Sequence, residues 1–232
     1  DKIHALETGL SSDPPMNRRL SMFDDYAFIS NSDAHSPQKL GREANLFDCA
    51  PSFGALREAL KKPFPGFLGT VEFFPEEGKY HWDGHRACGL RWHPFQTMEA
   101  GGKCPVCGRK VTVGVLHRLE ALADREEEGK PPSWRPCERL VPLTRIIAEA
   151  EGVGENTKKV RELYNGLLEK LGPELKIIRE MPLCELEKAA GALITEGIRR
   201  VRQGLLTINP GFDGEYGEVK IFSAKEREAF SR

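Results

Sequence analysis

The sequence predicts a mixed α/β chain laid out in three successive blocks, and three observations point to it. Residues 1 to about 70 alternate short strand-like runs with Ser-, Pro- and Asp-rich loops. Residues 71–128 are Gly-rich and short-stranded and hold clustered His and Cys. From Pro131 onward, apolar residues recur mostly at helical spacing. The 232 residues are 39% hydrophobic and 30% charged, which is globular composition and excludes a disordered chain. At roughly 100–200 residues per domain they allow one large domain or two to three small ones. No apolar run approaches the ~18 residues of a membrane span, and the N-terminus lacks a basic-then-apolar signal pattern. Membrane and secreted classes are thereby excluded, and a cytoplasmic location is expected. With 34 Lys+Arg against 35 Asp+Glu, a generally basic DNA-coating protein is excluded too, so any nucleic-acid contact needs a local patch.

Taken in order, the first block carries a strand leading to Glu7, a second at Tyr26-Ala27-Phe28-Ile29-Ser30, and a helix from Ser52 to Lys62. Ser52 is its cap, Leu56 and Leu60 lie at i, i+4, and Pro63 ends it. This block is acidic, with eight Lys/Arg against twelve Asp/Glu over residues 1–78. The third block predicts helices near 143–151, 156–171, 174–180 and 183–203. Two strands then flank a turn running from Asn209-Pro210-Gly211 to Asp213-Gly214, ending at Lys220-Ile221-Phe222. Domain boundaries are expected at 1–70, 71–128 and 129–232. The sequence opens at Asp1, without Met, and runs straight into strand-like residues, which leads us to expect part of a longer polypeptide.

The sharpest chemical signal is His85-x-x-Cys88, fifteen residues, then Cys104-x-x-Cys107. Tetrahedral zinc takes four thiolate and imidazole ligands, and a two-residue spacer lets one tight knuckle present two of them. Gly89 and Gly108, each directly after a second ligand, suit knuckle backbones of positive φ. His81 and His93 also flank Cys88, but His85 alone has knuckle spacing. All four positions are filled by protein, so the expected Zn²⁺ is structural rather than catalytic. Six cysteines are too few for a disulfide scaffold, and a reducing cytoplasm fits them.

A second signal is Ser30-Asn31-Ser32-Asp33-Ala34-His35-Ser36-Pro37, where a strand ends in Asp-x-His. Carboxylate and imidazole on one side of an extended segment suit a divalent metal; the same residues also suit a capped turn. Glu7, with Ser11 and Ser12 in the following loop, could contact metal or substrate, or simply end a strand before an Asx-Pro turn. Between Gly84 and Arg118 stand six Lys/Arg and one Asp/Glu, among them Arg86, Arg91, Arg109, Lys110 and Arg118. With His117, Tyr80, Trp82 and Trp92 they form a basic, aromatic surface suited to phosphates and bases. Residues 143–159 read as two helices joined by Gly152-Val153-Gly154. That is either a helix–hairpin–helix offering Lys158 and Lys159 to a phosphate backbone, or an ordinary helical hairpin with a glycine cap. Arg199, Arg200 and Arg202 form either a solvated helix face or a DNA-facing one.

Together these residues carry a resemblance. Glu7 to Asn17 and Ser32-Asp33-Ala34-His35-Ser36-Pro37 resemble the last strands of a PHP (polymerase and histidinol phosphatase) domain. The run from Gly69-Thr70-Val71-Glu72 through Asp83-Gly84-His85-Arg86-x-Cys88-Gly89, Cys104-Pro105-Val106-Cys107-Gly108 and Thr112-Val113-Gly114-Val115-Leu116-His117-Arg118 is similar to the endonuclease Q family. The resemblance implies an α/β fold: the C-terminal part of a PHP (distorted β/α barrel) domain, a zinc ribbon, and a mainly helical DNA-binding domain. It implies a metal-dependent DNA repair endonuclease cutting 5′ to deaminated bases (uracil, hypoxanthine, xanthine) and abasic sites in double-stranded DNA, with base flipping. Asp33 and His35 would be catalytic ligands of Mg²⁺, Mn²⁺ or Zn²⁺. Glu7, Ser11 and Ser12 would line the lesion pocket. The early His-x-His of PHP domains has no counterpart here, so the N-terminal PHP half is the expected partner and the chain alone is expected to be inactive. Repair or replication proteins and the nucleoid are the expected surroundings. The rival readings are a non-catalytic zinc-ribbon DNA-binding module of a repair or helicase complex, and a PHP phosphatase for small phosphate esters.

Overall fold

Strands β1 (Ala5–Glu7) and β2 (Ala27–Ile29) run parallel, Ala5 opposite Ala27 and Glu7 opposite Ile29, so both end on the same side. They belong to a computed structural model that describes residues 3–230; Asp1 lies outside these. The chain between them passes through α1 (Pro14–Asn17), a single turn built by Asp13, whose Oδ1 accepts the Met16 N–H at 2.9 Å, and by proline at its start. Arg18 then ties the crossover down. Its buried guanidinium donates to the carbonyls of Phe23, Tyr26 and Ser133 and lies 4.3 Å over the Phe28 ring. Burial lowers its pKa to about 10, which leaves it charged at neutral pH.

A second sheet has the order β3 (Ala44–Phe47), β4 (Phe67–Glu72), β7 (Cys137–Arg139), with β3 antiparallel to β4. Between β3 and β4, α2 (Phe53–Ala59) is capped by Ser52 as expected, but stops before Lys62. The reason is tertiary: Phe64, at φ 62, turns inward to pack with Ala27 and Phe67. The middle block is not only strands. A hairpin of β5 (Asp83–His85) and β6 (Leu90–Trp92) is followed by α3 (Pro94–Glu99), and α4 (Val115–Leu122) comes later. Leu116 and Leu119 of α4 pack with Met16 and Leu20, so the first two expected blocks share a core. Arg19 fixes the same contact with a bidentate bond to Glu120 at 2.6 and 2.7 Å.

By its internal contacts the chain divides into two compact units: residues 1–138 with 209–218, and residues 139–208 with 219–232. The second is helical: α5 (Leu143–Glu151), α6 (Lys158–Leu171), α7 (Glu174–Arg179), α8 (Leu183–Ala190) and α9 (Ala192–Gln203). Helix α5 has the expected ends. The single helix expected over 183–203 is two, because Gly191 takes φ 79 and ψ 168 and breaks the ladder. Helix α9 packs against α5 and α8 around Ile146, Ile198 and Leu186, all fully buried. Strands β8 (Thr207–Asn209) and β9 (Glu218–Lys220) pair, and α10 (Ala224–Phe230) ends the described chain. Strand β9 stops at Lys220 since the N–H groups of Ile221 and Phe222 turn to the Glu149 carboxylate. Among the described residues no helix is long and apolar enough to cross a membrane.

Gly69 is the tightest point of the second sheet. It has φ 141, and a Cβ there would stand 2.2 Å from the carbonyl oxygen of Pro136. Gly69→Ala is expected to destabilise the protein by about 2 kcal/mol or more, read by thermal unfolding, because backbone must move and the conformation disfavours a side chain.

Candidate functional site

Four ligand atoms converge in the first unit. His85, at the end of β5, and Cys88, in the 3₁₀ turn that follows, meet Cys104 and Cys107 with all four atoms within 4.8 Å of one another. Among the described residues this is the one group of three or more such side chains that could hold a metal. Gly89 and Gly108 take φ 65 and 72, as the knuckle spacing predicts. The second knuckle closes through Gly108 N–H to Cys104 C=O and Cys104 N–H to Arg109 C=O, both 2.8 Å. Burial raises the Cys104 thiol, but N–H groups of Cys107 and Val106 and the neighbouring thiols outweigh it and bring the pKa down to about 7. Cys88 goes the other way: burial, then the shared hydrogen bonds with Cys107 and Cys104, push it up to about 11. Three thiols competing for one thiolate are relieved when a cation takes the protons' place.

The donor set fits a tetrahedral metal. Bonds of about 2.3 Å to sulfur and about 2.0 Å to nitrogen put those ligand atoms about 3.5 Å apart; Cys107 Sγ and His85 Nδ1 stand 3.6 Å apart. Neither rival imidazole joins the cluster. His93 caps α3, its Nδ1 accepting the Phe95 N–H, and its ring meets Trp82 edge-on. His81 is buried.

The hairpin is braced from two sides. Asp83, fully buried, accepts the Gly114 N–H at 2.7 Å and faces His117 Nδ1 at 2.6 Å. Residues 209–218 supply the other brace. Asp213 accepts the Arg86 N–H at 2.6 Å, and Trp82 N–H bonds the Gly211 carbonyl at 2.9 Å. Burial opposes charge on Asp213, yet the Arg86 N–H, Thr112, His85 and Arg86 outweigh it and hold its carboxyl below the usual range. Neither brace carries a signal in local sequence.

Around the hairpins Arg86, Arg91, Arg109, Lys110 and Arg118 are all exposed, with Tyr80 and Val106. Trp82 differs from the expected open aromatic face, since it packs against the Met16–Leu116 cluster. His117 has one ring nitrogen committed to Asp83 and is part-exposed. In the helical unit Gly152 caps α5 at φ 66, and Thr157 caps α6. Lys158 is exposed beside Glu162, and Lys159 pairs with Glu151. Arg199, Arg200 and Arg202 are not a free basic face. Arg199 pairs with Glu196; Arg200 binds Glu196, Glu226 and the Ile221 carbonyl; Arg202 donates to the carbonyls of Ile177 and Ile178.

Asp33 and His35 lie exposed on the loop after β2. Asp33 has φ 45, and its carbonyl accepts from His35 Nδ1 at 2.7 Å, which leaves the lone pair on Nε2. With only these two donors, the loop is not a complete metal site among the described residues. Glu7, exposed at the end of β1, accepts a hydrogen bond from Asn31 at 3.1 Å. Ser12 is engaged with Thr8 C=O and Asn17, and Ser11 is exposed. Sequence reasoning missed Asn31, Glu43 and Asn45, which surround the base of this loop.

Residues 142–205 match the family model described as the MJ0043 C-terminal domain. The chain is 33% identical over 225 residues to the protein MJ0043 of Methanocaldococcus jannaschii, which covers 93% of this chain and 28% of that protein. It is 32% identical to YqxK of Bacillus subtilis, over 94% of this chain and 53% of that one. Among solved structures it matches the lesion-specific endonuclease PfuEndoQ of Pyrococcus furiosus with a TM-score of 0.85 at 33% identity, covering all of this chain and 59% of that one. A complex of endonuclease Q with a 27-mer duplex bearing an abasic lesion at the active site matches at 0.79 and 32% identity, over 96% of this chain and 56% of that one. The chain thus spans little more than half of these structures, or less of MJ0043. In fold class it is similar to lesion-specific DNA endonucleases. In particular, it resembles endonuclease Q.

Cys104→Ser is expected to lose its bound metal by elemental analysis and to loosen residues 80–113, while the helical unit keeps its far-ultraviolet signal. Stoichiometric metal in the variant would remove Cys104 from the ligand set.

Proposed function

We propose that this chain is the lesion-recognising, DNA-gripping part of a DNA repair endonuclease. The reaction is hydrolysis of the phosphodiester 5′ to deaminated bases (uracil, hypoxanthine, xanthine) and abasic sites. The observation that carries the reading is the likeness, over nearly the whole chain, to an endonuclease Q held on a lesion duplex. A small-phosphate esterase would have no use for the exposed cations around the Cys/His hairpins, and they favour a polyanion.

On this reading Asp33 and His35 donate to a divalent metal, Mg²⁺, Mn²⁺ or Zn²⁺, with His35 offering Nε2. Such a metal, when bound, supplies an activated water and offsets charge on the phosphate. Because two donors do not make a competent centre, these 232 residues alone do not cut, and the remaining ligands come from other residues of the full protein. Glu7 and Ser11, both exposed, contact the lesion. Extruding a deaminated base costs least where it is mispaired, which favours damaged sites. The His85, Cys88, Cys104 and Cys107 cluster is a structural zinc site; the exposed Arg86, Arg91, Arg109, Lys110 and Arg118 grip phosphates, with His117 held among them. In the helical unit Lys158 and Lys159, beside the α5–α6 turn, contact phosphates of their own.

The test is a labelled duplex with one deoxyuridine or deoxyinosine, incubated with the natural full-length protein and Mg²⁺ or Mn²⁺. A nick on the 5′ side of the lesion is expected. Asp33→Ala should lower cleavage by at least a hundredfold while keeping lesion binding. Undiminished cutting by that variant would remove Asp33 from the centre, and no nick with wild type would favour a DNA-binding module.

A further inference from the structure

The loop bearing Asp33 and His35 is held at its root by residues with no assigned role. Asn45, on β3, spans to the end of β2 and takes both backbone groups of Ser30. Its Oδ1 accepts the Ser30 N–H at 2.9 Å, and its Nδ2 donates to the Ser30 carbonyl at 2.7 Å and to Asn31 Oδ1 at 3.2 Å. Ser30 is fully buried, so those groups have no water to turn to. The Ser30 hydroxyl donates to the carboxylate of Glu43, itself 4% exposed, and Glu43 also accepts the Phe73 N–H. Burial raises the Glu43 pKa; the Ser30 and Phe73 donors pull it back, and Glu7 and Asp13 push it up again. Asn31, the next residue, is tethered to Glu7. Two residues further on stands Asp33 at φ 45, a conformation that persists only where its surroundings over-determine it.

We propose that Asn45 and Glu43 are positioning residues for the Asp33–His35 loop, clamping Ser30 and Asn31 so that both donors leave β2 in one fixed direction. This rests on the reading of Asp33 and His35 as metal donors, but the clamp itself is visible in hydrogen bonds alone. Asn45 can do this because one primary amide offers an acceptor and two donors in a plane, matching a strand's own pattern. Aspartate there would keep the acceptor and lose the donors. At Glu43, glutamine keeps an acceptor for Ser30 and Phe73 without the buried charge.

The experiment compares wild type, Asn45→Ala, Glu43→Ala and Glu43→Gln in the natural full-length protein, with three readouts. These are the Mn²⁺ concentration giving half-maximal cleavage, the Kd for lesion duplex, and amide hydrogen exchange over residues 30–35. Asn45→Ala and Glu43→Ala should raise the Mn²⁺ requirement by roughly tenfold to a hundredfold, as loss of groups that orient metal ligands does. They should speed exchange at 30–35 and leave the Kd within about twofold, while Glu43→Gln stays near wild type. A merely structural role would instead weaken DNA binding and metal dependence together and would not be rescued by glutamine. Unchanged exchange and Mn²⁺ requirement in Asn45→Ala would overturn the clamp. If wild type does not cut, the functional reading fails, and exchange over 30–35 still decides the clamp.

Discussion

Residues 83–113 have almost no core of their own, and four converging ligand atoms stand in its place. Among the described residues of that stretch, Pro94, Cys104 and Val111 are the buried apolar side chains. A segment so poor in apolar burial cannot offset the entropy of ordering two hairpins. A metal held by these three thiols and the imidazole would supply that free energy by taking the place of the thiol protons. The surrounding hydrogen bonds depend on the hairpins being closed. Asp83 sits two residues before His85 and reaches Gly114, the cap of α4, and His117 within it; Arg86 sits one residue after His85 and donates its N–H to Asp213.

From that constraint follows the arrangement of the first unit. Helix α4, fixed by Asp83 at its start, buries Leu116 and Leu119 against Met16 and Leu20, in the crossover between β1 and β2. The same crossover is pinned by Arg18, Arg19 and Asp24, whose partners include Ser133, Glu120 and Arg125. The parallel pair carrying Glu7 and the Asp33–His35 loop is therefore held by these long-range polar contacts and by the packing of Ala27 with Phe64 and Phe67, more than by its two three-residue strands. On the proposed reading the exposed cations need no such support, because a phosphate backbone is recognised by charge and reach more than by fixed geometry.

What the sequence reveals is what is local. The Cys/His spacing is legible because each pair of ligands shares one turn; the Ser52 and Gly152 caps are legible because a cap acts within a few residues. Helix α5 has both a periodic face and a glycine stop, and its ends agree with expectation. The break at Gly191 is hidden, because Leu186, Ile194, Ile198 and Val201 keep helical spacing across it. Helices α3 and α4 are hidden by brevity and by caps of unusual type, His93 and Gly114. The arginines of α9 look like a solvated or DNA-facing stripe until their carbonyl and carboxylate partners are placed. The clamp on Ser30 joins residues thirteen and fifteen positions apart through side chains, and no periodicity encodes that.

The measurement that bears most directly on the four-ligand site as the organiser of this unit is X-ray absorption at the metal edge of the purified protein. The account predicts about one zinc per chain, with three sulfur scatterers near about 2.3 Å and one nitrogen near about 2.0 Å. A folded protein without stoichiometric metal, or a shell of mainly oxygen scatterers, would contradict it.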